Sequence, residues 1–169
     1  DLHDLAATGI VLMAYQAVVR GNSVRNTQGA GIAIASTPYS KSVGILVANN
    51  TFASNRFHGI QSDATKGSRS RNVTLTDNVV ELNDGSGIYA VNASGWTISG
   101  NICRDNNRDG IQTGAGIVID LADNVTATGN QCISANSGQS AGIIVGHGGT
   151  GSPGVSNVML SGNVLQGHG

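Results

Sequence analysis

The sequence predicts an all-β solenoid, a single domain of parallel coils with three short strands in each. Three observations predict it. An asparagine phrase recurs along the whole chain, a Gly-Ile phrase follows it at a fixed distance, and alignment of the repeats produces an apolar column.

The asparagine phrase reads Gly-Asn, Asn-Asn or Asp-Asn and falls at Asn22, Asn50, Asn78, Asn101, Asn130 and Asn163, at intervals of 28, 28, 23, 29 and 33. Gly31, Gly59, Gly87 and Gly110 each open a Gly-Ile phrase nine residues after an Asn, and Gly116-Ile117 restarts it after a six-residue insertion. Within one repeat, 72–78 alternates apolar and polar residues, 79–82 is a second β-prone run and 87–91 a third. Asn, Asp, Gly and Ser separate them, the residues that tolerate left-handed backbone angles. Hairpins would return every 8–12 residues, so a repeat this long is a coil stacked in parallel on its neighbours. About six such coils are expected, with boundaries near 1–16, 17–41, 42–69, 70–93, 94–123, 124–156 and 157–169.

Register follows from the position two after each marker, which holds Val24, Phe52, Val80, Cys103, Cys132 and Leu165. This column is expected to face the core, with Cys103 and Cys132 as stacked, reduced thiols. The marker asparagines themselves are expected to form an internal amide ladder. Trp96 aligns with Val73 and is read as core.

Composition narrows the function. Ten acids stand against nine bases and only 11% of residues are charged, which gives no electrostatic footprint for nucleic acid or an anionic membrane. No apolar run is long enough to span a bilayer and Asp1 opens no basic leader, so neither a membrane nor a nucleic-acid partner is expected. One Glu and two Lys exclude a helical bundle. No dense acidic cluster suggests a metal, and no cofactor is expected.

The three-strand coils, the turn asparagine and the Gly-Ile third strand resemble the right-handed parallel β-helix of the pectate-lyase-like superfamily. The resemblance covers essentially the whole chain and implies a carbohydrate polymer as partner. It implies a lyase, hydrolase or C5-epimerase acting on an acidic extracellular polysaccharide, in the manner of a phage tailspike depolymerase, and an extracellular, cell-surface or virion-associated location. A non-catalytic glycan-binding or structural solenoid segment is the alternative, and an ice-binding solenoid a more remote one. The first and last coils look incomplete, so a piece of a longer chain, a homotrimer or capping by a partner domain is expected. Gly146-His147-Gly148 and 107–111 are similar to polygalacturonase segments, but the paired acids between them are missing.

Candidate catalytic residues come from the turn between second and third strands. Six residues after a marker lie Arg56 and Asp84, and eight after lie His58 and Asp109, with Arg108 beside them. There an Arg would neutralise a uronate while His58 or an Asp acts as base or acid. The bland alternative is a set of solvated turns with alternating charges. Candidate binding residues lie in the extended turns after the third strand: Tyr39, then Lys66, Arg69 and Arg71, then His147. No aromatic-lined groove is evident. The outward threonines of 74–76, 97–99 and 126–128 suggest the ice-binding alternative, although Thr is favoured on any exposed strand.

Overall fold

The computed structural model describes residues 1–65, 67–109, 114–135, 139, 141–146 and 154–167. Every strand pairing among them is parallel, and the strands form three sheets. The first sheet contains Val18–Arg20, Leu46–Ala48, Thr74–Thr76, Thr97–Ser99, Asp123–Thr128 and Ser156–Ser161, extended by Ser70–Arg71 and Ala93–Ser94. The second runs from Leu2–His3 through Ser23–Arg25, Thr51–Ala53, Val79–Glu81, Ile102–Arg104 and Gln131–Ile133 to Val164–Gln166. The third holds Ile10–Leu12, Ile32–Ser36, Ile60–Ala64, Ile88–Val91, Ala115–Asp120 and Ala141–Val145. The chain visits the three in turn, which is a parallel β-helix.

Why the asparagine phrase has its form is visible at the corner. The residue before each marker is left-handed: Gly21, Asn49, Asp77, Gly100, Gly129 and Gly162 have φ between 54° and 68°. That conformation selects Gly, Asn or Asp. The marker side chain then turns inward. The Asn50 backbone N–H and Nδ2–H both donate to Asn78 Oδ1 at 3.0 Å, Asn78 repeats the pattern on Asn101, and Asn101 on Asn130. Each amide therefore satisfies polar groups that water cannot reach.

A second ladder, not anticipated from the sequence, stands at the next corner. Thr27 donates to Asn55, Asn55 to Asn83, Asn83 to Asn106, and the Asn106 N–H to Gln139 Oε1. These residues are also buried.

The Gly-Ile phrase has a steric cause. A Cβ on Gly31, Gly59, Gly87 or Gly116 would lie 2.6–2.9 Å from the carbonyl oxygen of the glycine in the next coil. The isoleucine that follows fills the core: Ile32, Ile60, Ile88 and Ile117 are fully buried and in register. Of the two candidate phrases after Asn101, Gly116-Ile117 aligns with Gly87-Ile88, while Gly110 lies outside the described residues.

The column two after each marker is buried from Val24 through Cys132 as expected, whereas Leu165 in the last strand is 52% exposed. Cys103 and Cys132 stand opposite each other on adjacent strands as buried thiols, not joined in a disulfide. Trp96 is core, its Nε1–H donating to the Ser70 carbonyl at 3.2 Å.

Candidate functional site

The outer face of the third sheet gathers the chemistry. Its inward residues, Ile88 and Ala90 in the middle strand, belong to the core, so Tyr89 and Val91 face outward by alternation. Register places Gln61 and Val118 beside Tyr89, and Asp120 beside Val91. Asp63 falls in the same outward column as Asp120, one strand to the other side of Val91. The face is covered only on the strand Ala115–Asp120, where Val118 is 1% and Asp120 8% exposed; Gln61, Tyr89 and Val91 are half-buried and Asp63 is exposed.

His58 stands at the N-terminal edge of this sheet, two residues before Ile60–Ala64. Its imidazole lies flat on the Tyr89 ring, and the Phe57 ring packs against it at a 60° tilt with centroids 4.4 Å apart. The Ser86 backbone N–H donates to His58 Nδ1 at 2.9 Å. Only a ring unprotonated at Nδ1 accepts that bond, so the neutral tautomer carries its hydrogen on Nε2. Burial pulls the His58 pKa down to about 4, and the ring is neutral at pH 7. Burial, and then the negative charge of Asp120, push the Tyr89 phenol up, so it too stays protonated. The site thus presents two neutral donors beside one carboxylate.

The other candidates from the same turn form a charged border at the N-terminal ends of the third-sheet strands. Arg108 donates through Nη2 and Nε to Asp84 Oδ1, at 2.6 and 2.9 Å. Arg56 Nη1 donates to Gln28 Oε1 at 3.0 Å, and no carboxylate among the described residues forms an ion pair with it. Asp109 sits in the same turn one coil on, its N–H reaching the Asp84 carbonyl. No hydrogen bond or ion pair joins His58 to Asp84 or Asp109 among the described residues; its ring is in contact with Tyr89, Phe57 and the Ser86 N–H.

The candidate binding residues border the opposite, C-terminal ends of those strands. Arg69 reaches across the intervening strand Ala93–Ser94 to Asp123, 2.6 Å away. Arg71 is exposed in Ser70–Arg71, and Tyr39 is 99% exposed. Lys66 and His147 lie outside the described residues. Among the described residues no group of three or more His, Cys, Asp or Glu is placed to hold a metal ion.

Tyr89, Asp120 and Asp63 are not among the candidates that the sequence singles out, because the column alignment stopped at the turn. Carried on four positions past each Gly of the Gly-Ile phrase, it reads Ala35, Asp63, Val91 and Asp120. On the first sheet, Thr74, Thr97 and Thr126 are in register, as are Thr76, Ser99 and Thr128. Leu46 and Ala48 interrupt that hydroxyl array on one side and Met159 on the other.

The family model for a right handed beta helix region matches residues 1–168. Among solved structures, the A-module of the Azotobacter vinelandii mannuronan C-5 epimerase AlgE6 is similar, with a TM-score of 0.66 and 18% identity over 95% of this chain and 49% of that one. The AlgE4 A-module from the same organism is similar too, with a TM-score of 0.62 and 14% identity over 99% of this chain and 54% of that one. The chain spans about half the length of these modules. A search of curated proteins finds no match.

Proposed function

Because the chain belongs to the right-handed β-helix family, whose stacked strands line up outward side chains along one face, we propose that the outer face of its third sheet binds an acidic polysaccharide outside the cell and exchanges a proton on a uronate ring. The observation that carries this reading is the convergence of Tyr89, neutral His58 and Asp120 on that face, with Arg56 at its edge. The likeness of the fold to mannuronan C-5 epimerase modules supports a polyuronate as substrate.

In the proposed reaction Arg56 binds a uronate carboxylate of the polymer at the N-terminal edge of the face, and the uronate that reacts lies further along the strands, where its ring proton, made acidic by the adjoining carboxylate, meets Asp120. The Asp120 carboxylate takes that proton and the electron pair passes into the substrate carboxylate. The Tyr89 hydroxyl returns a proton to the same carbon, giving epimerisation. Where the neighbouring C–O bond breaks instead, the outcome is elimination, as in a lyase. His58 holds the Tyr89 ring and offers Nε2–H to a sugar oxygen.

A hydrolytic reading has one observation in its favour. Asp63 and Asp120 share one outward column with their backbones two strand spacings apart, roughly 9.6 Å, a span that side-chain rotation can bring into the carboxyl separation for inverting hydrolysis, about 6.5–9.5 Å.

Incubation with polymannuronate and polygalacturonate in D2O tests the proposal. Deuterium at the uronate C5, with or without the ultraviolet absorbance of an unsaturated uronate, is the expected result. New reducing ends without either would favour hydrolysis, and unaltered polymers in every case would overturn the catalytic reading.

A further inference from the structure

Phe57 is the residue in this region for which neither the fold nor the proposed chemistry accounts. It lies in the turn that carries Arg56 and His58, and it is 46% exposed. The stack does not call for an aromatic there. The aligned position one coil below is Gly29 and one coil above is Gly85, whose N–H donates to the Phe57 carbonyl at 3.0 Å. Most other exposed large apolar side chains belong to the first or last strands of the three sheets, whereas Phe57 is in the middle of the stack.

Its neighbours fix the ring while leaving space around it. Gly29 and Gly85 put no side chain over it on either side along the stack. His58 packs against it and in turn lies on Tyr89, so three rings run from the turn onto the sheet face. Arg56, the adjacent residue, is exposed and held by Gln28. A pyranose ring has a carboxylate at its rim and a face of polarised C–H bonds. A guanidinium beside an exposed aromatic face complements both.

We infer that Phe57 is the platform on which one sugar ring of the bound polysaccharide stacks, one residue from the guanidinium that takes its carboxylate. The inference rests on the polysaccharide reading of the site and adds a specificity residue to it. Phe57 touches substrate only through its ring face, so it governs affinity and leaves the proton transfer to Tyr89 and Asp120. Neutral or reduced sugars that lack the carboxylate would gain from the ring alone and bind more weakly than uronates.

The test is retardation of the protein in native gels containing polymannuronate or polygalacturonate, with KM and kcat measured on whichever polymer is turned over. Phe57→Ala, in an exposed turn flanked by glycines, is expected to keep the wild-type melting temperature, to bind about tenfold more weakly and to raise KM with kcat little changed. Phe57→Trp is expected to retain binding. Retardation of Phe57→Ala equal to that of the wild type overturns the inference and leaves the site reading standing. A fall in kcat with KM unchanged also overturns it, since that marks a ring acting through His58 and not through the sugar. Failure of the wild-type protein to be retarded by either polymer overturns the inference together with the reading on which it rests.

Discussion

The imidazole of His58 and the phenol ring of Tyr89 are stacked, with centroids 4.2 Å apart and planes within 3° of each other. Together with the Ser86 N–H on Nδ1, this makes His58 a neutral donor at the edge of the third sheet.

The stack has a consequence for stability. Burial lowers the folded-state pKa of His58 from 6.5 to about 4. Between those values the unfolded chain binds a proton that the folded chain refuses, so stability is lost as pH falls from about 6.5 towards 4. The loss is on the order of 3 kcal/mol. His58→Gln removes this titration, and its melting temperature should fall less steeply than that of the wild type across that window. Parallel slopes would contradict the assignment.

The two ends of the amide ladder should differ from its middle. Asn78→Ala removes the oxygen that accepts from both Asn50 donors, and also the donor to the Val47 carbonyl. Buried donors left unpaired cost about 1–3 kcal/mol each, so a destabilisation of about 4 kcal/mol is expected. Asn22 in the first coil donates to Arg20 and Asn50 from a partly exposed position, and Asn22→Ala should cost about 1 kcal/mol. Denaturant melts of both variants compare them directly.

Leu82 has φ 56° at a corner where the aligned residues are Asn26, Ser54 and Asp105, and it is 40% exposed. A branched apolar residue gains nothing there to offset left-handed strain. Leu82→Asn should stabilise the fold by about 0.5–1 kcal/mol in the same melts. A destabilised variant would show that the leucine packing outweighs the backbone strain.

The architecture was legible because each of its constraints falls on a narrow set of residue types at equivalent positions of successive coils. Left-handed corners demanded Gly, Asn or Asp, the close approach of coils demanded glycine, and the amide ladder demanded Asn50, Asn78 and Asn101. The second ladder was less legible because it begins with Thr27 and ends with Gln139, so the type changes while the role persists. The candidate site was read only in part. Alignment found Arg56, His58, Asp84, Asp109 and Arg108 in neighbouring turns, but charge pairing uses Arg108 on Asp84 and ring stacking turns His58 towards Tyr89. Tyr89 is alone in an outward column otherwise filled by Ala33, Gln61 and Val118, and Asp120 shares its column with Asp63 but also with Ala35 and Val91, so nothing periodic marks either.

Cys103 and Cys132 should be inert in the folded protein. The hydrogen bond between the two thiols, and then burial, push Cys103 well above the usual thiol range, and both side chains are fully buried. An aromatic disulfide reagent is expected to label neither thiol in buffer and both in denaturant. Rapid labelling without denaturant would mean that these two coils open readily.

The central claim is that chemistry takes place on the outer face of the third sheet, and turnover of one polyuronate by three proteins tests it most directly. On a polymer that the wild type deuterates at C5, Tyr89→Phe should slow inversion of that carbon by about a hundredfold or more. Thr97→Val, on the outer face of the first sheet, should leave the rate unchanged. Undiminished inversion in Tyr89→Phe, or its loss in Thr97→Val, would contradict the account.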